Sequence, residues 1–176
     1  HLCGGSFQGM GACRTRDSSA RRAKPPGGFC KRLSLTIAGG VVKMTKNLSL
    51  SAIDHIVLTV KDIDRSVRFY SQCLGCNVIR FGDDRFAVQI GSSKINFHQS
   101  DSPVKPHAIK PTAGSADFCL LSSLTPEAIE SFLKTQNIEI ELGPVSRNGA
   151  RGPITSFYLR DPDSNLVEIA TLQKTK

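Results

Sequence analysis

The chain has 176 residues and a mass of 19.0 kDa, room for one domain or two small halves of one. Its 39% hydrophobic and 22% charged residues are ordinary for a soluble globular protein. No run approaches the roughly 20 consecutive apolar residues of a membrane span, and three cysteines in a body well supplied with apolar residues do not make a disulfide scaffold. The net charge of +8 and pI near 9.4 point by themselves to nucleic acid or an anionic membrane. The distribution of that charge redirects the reading. Residues 1–46 hold nine basic residues and one acid, whereas residues 47–176 hold 14 of each. The basicity belongs to a leader, and neither a nucleic-acid nor a membrane partner is expected of the body.

The leader contains 8 of the 15 glycines and no sustained periodicity, so residues 1–46 are expected to be mostly disordered. Its Arg- and Ser-rich stretch from Arg14 to Arg22 has the composition of an organelle transit peptide. The simpler alternatives are a flexible tail or sequence upstream of Met44. The expected location is cytoplasmic, or mitochondrial or another organelle if the leader is a transit peptide. Reduced thiols at Cys73, Cys76 and Cys119 agree with an intracellular compartment.

Residues 47–176 form the expected domain, built from repeats over 52–98 and 115–172. The β-branched run from Ile53 to Val60 predicts a strand. Ile63, Val67, Tyr70 and Leu74 then mark one face of a helix that Gly75 ends. Short strands are predicted at Asn77–Phe81, Arg85–Ile90 and Lys94–His98. Prolines 103, 106 and 111 mark a connector. In the second half Asp117–Leu121 reads as a strand, and Thr125 caps a helix with Pro126 at its first position. Strands are predicted at Ile138–Leu142, Thr155–Leu159 and Leu166–Ala170. Residues 143–153, rich in Gly and Pro, read as a flexible loop, either a lid over a cleft or only a long loop. The order β-α-β-β-β thus occurs twice, and His55 and Asp117 stand 62 residues apart at matching positions. The fold class expected from this pattern is α+β, two βαβββ modules with a helix packed on the apolar face of each.

Period-2 alternation gives each first and fourth strand one apolar face and one mixed face. The mixed faces carry His55, His98, Asp117 and Glu168. Two imidazoles and two carboxylates suit a divalent ion such as zinc, nickel, iron(II) or manganese, and lack the thiolates of a closed structural zinc site. Two-fold packing of the halves would bring the four into one cleft. Each also has a plain structural reading: a hydrogen-bonded strand-end His, or an Asp satisfying a turn. Glu168 is the hardest to account for that way, because a buried carboxylate needs a partner. Cys73 and Cys76 fall at a helix end where Leu74-Gly75 serves the turn, and their spacing is read as structural rather than redox.

The stretches Asp54–Val60, Arg68-Phe69-Tyr70, Leu74-Gly75, Lys94–Gln99, Lys110-Pro111-Thr112, Gly114–Asp117, Gly143-Pro144-Val145 and Tyr158–Glu168 resemble those of the vicinal-oxygen-chelate superfamily, which includes glyoxalases, bleomycin-binding proteins and dioxygenases. More narrowly, they resemble its group of glyoxalase-domain-containing proteins. The resemblance covers about residues 52–172 and none of the leader. It implies two βαβββ modules forming an incomplete eight-stranded cup, with helices packed outside, around a divalent metal with ligands at His55, His98, Asp117 and Glu168. Glyoxalase I generally has a carboxylate where His98 stands and a His or Glu where Asp117 stands, so this chain departs at both positions. The leading expectation is a metal-dependent lyase or isomerase of the glyoxalase I type. It would chelate vicinal oxygens of a small substrate, stabilise an enediolate, and use glutathione as a possible co-substrate. Glu168 is the first candidate for proton transfer and Asp117 the second. Arg85, Arg147 and Arg151 are placed as holders of an anionic substrate from charge and loop position. The alternatives are an extradiol-type dioxygenase or thiol transferase on the same metal site, and a metal-free small-molecule-binding protein of the bleomycin-resistance type. A homodimer is expected by analogy.

Overall fold

In the computed structural model of the chain, residues 48–173 are described. The predicted leader, residues 1–46, lies outside them. The first module runs β1 (His55–Val60), α1 (Ile63–Arg68), β2 (Val78–Phe81), β3 (Arg85–Ile90) and β4 (Ser93–Gln99). The second runs β5 (Asp117–Leu121), α2 (Pro126–Thr135), β6 (Leu142–Gly149), β7 (Gly152–Arg160) and β8 (Leu166–Leu172). The α+β architecture of two repeated modules is the one expected. The eight strands stand as two four-stranded sheets, in the orders β1-β4-β3-β2 and β5-β8-β7-β6. In each sheet the first and fourth strands of the module pair parallel and the rest antiparallel.

Local sequence explains the helices. Asp62 caps α1, its carboxylate accepting from Arg65 N at 2.9 Å. The helix is shorter than the periodicity suggested and passes into one π-helical turn, Phe69–Cys73. Gly75, at φ +74°, then reverses the chain in a conformation that favours glycine. In the second module Thr125 Oγ1 accepts from Ala128 N, with Pro126 inside the cap as expected.

Each helix covers the apolar face of its own sheet. Those apolar faces share one core: Leu58, Val60, Tyr70, Ile95 and Phe97 from the first module, Ile129, Leu133, Phe157, Leu159 and Val167 from the second. Burying such a side chain contributes roughly 1.5–3 kcal/mol. The turn between β7 and β8 ties the modules together. Tyr70 OH donates to Asp161 Oδ2 at 2.9 Å, and Lys61 N donates to Asp163 Oδ1 at 3.2 Å. Asp161 also accepts from the backbone N–H groups of Asp163 and Asn165, both at 2.9 Å, and from Asn165 Nδ2 at 2.8 Å. Both carboxylates are buried, and these donors offset the cost of burying them.

The largest correction concerns residues 138–153. The strand predicted at Ile138–Leu142 is displaced: β6 begins at Leu142 and runs through the segment read as a loop or lid. It pairs antiparallel with β7 from Leu142↔Tyr158 to Gly149↔Gly152, with a register shift between Leu142 and Val145. Pro144 fits because β6 is the edge of its sheet, where a missing N–H breaks no ladder.

Candidate functional site

The register fixes which side chains share the mixed faces. On the first sheet His55 lies level with Lys94, Val57 with Asn96, and Thr59 with His98. On the second, Asp117 lies level with Leu166, and Cys119 with Glu168. These faces turn away from the shared core: His55, Asp117 and Cys119 are exposed, and Val57 and Leu121 retain 44% and 45% of their surface. One chain therefore presents two half-cups.

The four sequence-predicted ligands are not gathered within one chain. His55 and His98 share a face but stand four residues apart in register, about 13 Å along a strand at ~3.3 Å per residue. Among the described residues, no three His, Cys, Asp or Glu side chains lie close enough together to hold a metal ion. His55 Nδ1–H donates to Asp54 Oδ2 at 2.7 Å, which leaves Nε2 as its free ligand nitrogen. His98 is buried, and burial, with the nearby charges of Arg85 and His107, holds its imidazole below the ordinary histidine range.

The second half-cup is a hollow of about 410 Å³ lined by Cys119, Arg147, Arg151, Tyr158 and Glu168 among others. Arg147 Nε donates to Tyr158 OH at 3.2 Å, and its guanidinium carbon stands 5.6 Å from that ring's centre. This brings two of the three predicted anion-holding arginines to one hollow; Arg85 stands on the other sheet, on β3. Although Cys119 as a residue is exposed, its sulfur is partly buried toward Glu168; that burial, with the charge and hydrogen bonding of Glu168, pushes the thiol up to about 11.

Three buried side-chain oxygens among the described residues have no hydrogen-bond partner: Asn96 Oδ1, Ser156 Oγ and Glu168 Oε1. Register places all three on mixed faces. Asn96 is the residue that sequence reasoning passed over. It shares its face with His98 by alternation, but lies two residues rather than four from the level of His55. The signal available in the sequence was a polar residue set between Ile95 and Phe97; its burial shows only in the structure.

The family model described as the Glyoxalase/Bleomycin resistance protein/Dioxygenase superfamily matches residues 52–169. The chain is 38% identical over 151 residues to the glyoxalase domain-containing protein RDO1 of Mycosarcoma maydis, covering 86% of this chain and 85% of that protein. It is 45% identical over 121 residues to the virulence protein STM3117 of Salmonella typhimurium, covering 69% and 84% respectively. The crystal structure of that virulence protein superposes with a TM-score of 0.70 at 43% identity, over 72% of this chain and all (100%) of the other.

Proposed function

The chain belongs to the Glyoxalase/Bleomycin resistance protein/Dioxygenase superfamily, and from that premise we propose that it is a metal-dependent enzyme of the glyoxalase I type, acting on a small substrate with two adjacent oxygens. The observation that carries this reading is two of the three orphaned oxygens, Glu168 Oε1 and Asn96 Oδ1, on the faces where a metal and substrate would enter. Leaving a buried acceptor unmet costs about 1–3 kcal/mol, so each invites a partner from outside the chain. His55 through Nε2, with Asp117, Glu168 and His98, offers a nitrogen–oxygen donor set suited to zinc, nickel, iron(II) or manganese. Asn96 adds a neutral oxygen on the same face as His55. Such an ion, when bound, supplies Lewis acidity toward the two substrate oxygens.

The chain's own residues supply the rest. Glu168 takes a proton from the substrate carbon at Oε1 and returns it to the adjacent carbon, which is the proton balance of an isomerising lyase. Asp117, at the head of β5, is the second carboxylate. Cys119 stays protonated near neutral pH and so does not compete as a nucleophile. Arg147 and Arg151 line the hollow and hold an anionic substrate such as a glutathione conjugate. Because one chain carries half-cups that face outward, the ligand set is assembled from two copies, a homodimer.

A colourimetric lactoylglutathione assay with nickel, zinc or manganese tests the reading. Turnover is expected, lost in chelator and restored by metal, with Glu168→Gln reducing it about 100-fold or more. Absence of turnover with every one of these metals overturns it.

A further inference from the structure

The four strands of the first sheet contain no carboxylate and three cations: Arg80, Arg85 and Lys94. Arg80 is accounted for by its ion pair with Asp84 at 2.7 Å. Lys94 and Arg85 are not. Neither makes an ion pair among the described residues, and both lean on one aromatic ring. Lys94 Nζ lies 3.9 Å from the centre of Phe81, and the Arg85 guanidinium carbon 4.8 Å. The two charges are therefore no further apart than those two distances combined. Lys94 is level with His55, Phe81 pairs with Arg85, and Arg85 shares the mixed face with Ala87, level with Asn96. Ala87 has no exposed surface although it faces this side, so longer side chains roof it. Asp54 feels the charge of Lys94, but its carboxylate bonds to His55 instead.

Two like charges drawn together with no carboxylate bonded to either repel each other, and a ring's π-face compensates only in part. The remaining potential favours an anion of more than one charge. We propose that Lys94 and Arg85, seated on Phe81, form an anion subsite on the mixed face of the first sheet, and that it takes a small dianion. The inference rests on the reading that substrate enters over the mixed faces, and adds to it the class of substrate: one carrying two negative charges, as a dicarboxylate or a phosphoryl group. Phe81 positions both cations.

Titration calorimetry on the full chain, stripped of metal by chelator and then freed of the chelator by dialysis, tests this independently of any metal-dependent turnover. The probes are succinate, methyl phosphate and acetate. At least one dianion is expected to bind, at least about tenfold more tightly than acetate, with affinity falling as salt is added. Lys94→Gln and Arg85→Gln are each expected to weaken that binding about tenfold, as loss of one charge-assisted contact does. The tighter of succinate and methyl phosphate identifies the carboxylate or the phosphoryl group as the natural source of charge. Failure of both dianions to bind, or equal binding by the wild type and both variants, overturns the proposal. Loss of the lactoylglutathione reaction alone would overturn the function proposed above and leave this subsite standing.

Discussion

Cys119 and Glu168 are cross-strand neighbours, and each alters what the other can do. Partial burial of the sulfur makes its thiolate costly, and the charge and hydrogen bonding of the carboxylate beside it add to that cost, so the thiol is pushed up to about 11. Removing the negative charge must therefore lower the value. In chelated, metal-free protein, the rate of Cys119 alkylation is expected to rise with pH toward a midpoint near 11. Glu168→Gln should bring that midpoint part of the way down toward the ordinary thiol range of about 8.5, with burial holding the rest of the rise. An unmoved midpoint would show that the carboxylate does not face the thiol. The same neighbourhood shows how far the site was legible. Alternation alone put His55, His98, Asp117 and Glu168 on mixed faces. It could not supply the register between strands, which sets His98 level with Thr59 and Asn96 level with Val57. Imidazole drew notice as a ligand type, whereas an amide became notable only once its oxygen proved buried and unmet.

At the scale of elements, periodicity worked where one face of a strand or helix is buried and failed where turn-forming residues sit in an edge strand. β1, β3, β5 and α2 emerged from the pattern nearly at their observed bounds. β6 did not, because Gly143, Pro144, Asn148 and Gly149 all read as punctuation. In the structure Gly143 begins the irregularity that lets an edge strand accommodate Pro144. It has φ +139°, and a Cβ there would stand 2.8 Å from Ser156 O and 2.9 Å from Phe157 Cα, both backbone atoms. Neither neighbour can rotate aside. Gly143→Ala is therefore expected to destabilise the fold by about 1–3 kcal/mol, read from the midpoint of urea unfolding. An unchanged midpoint would mean that β6 slides freely along β7.

For the whole molecule, the decisive fact is that the two apolar faces look inward on one core and the two mixed faces look outward. Tyr70 and the Asp161–Asn165 turn hold the modules in that relation, so the chain cannot close its own half-cups upon each other without breaking buried hydrogen bonds. Among the described residues, strands β1 and β5 are sheet edges with unpaired outer sides, and each exposes an apolar residue, Val57 and Leu121. Natural edge strands are normally short, charged or covered. A second copy, setting its half-cup against the first, would cover them and bring His55 and Asn96 of one chain toward Asp117 and Glu168 of the other. Light scattering is then expected to give twice the 19.0 kDa chain mass. Leu121→Glu, which places a charge on the covered edge while leaving the core intact, should yield monomer with unchanged circular dichroism. Its metal-dependent turnover should fall at least about tenfold, since a like-sized loss accompanies displacement of ligands that must meet within a fraction of an ångström. A wild-type monomer with full turnover would require the donors to converge within one chain, against the outward turn of both mixed faces.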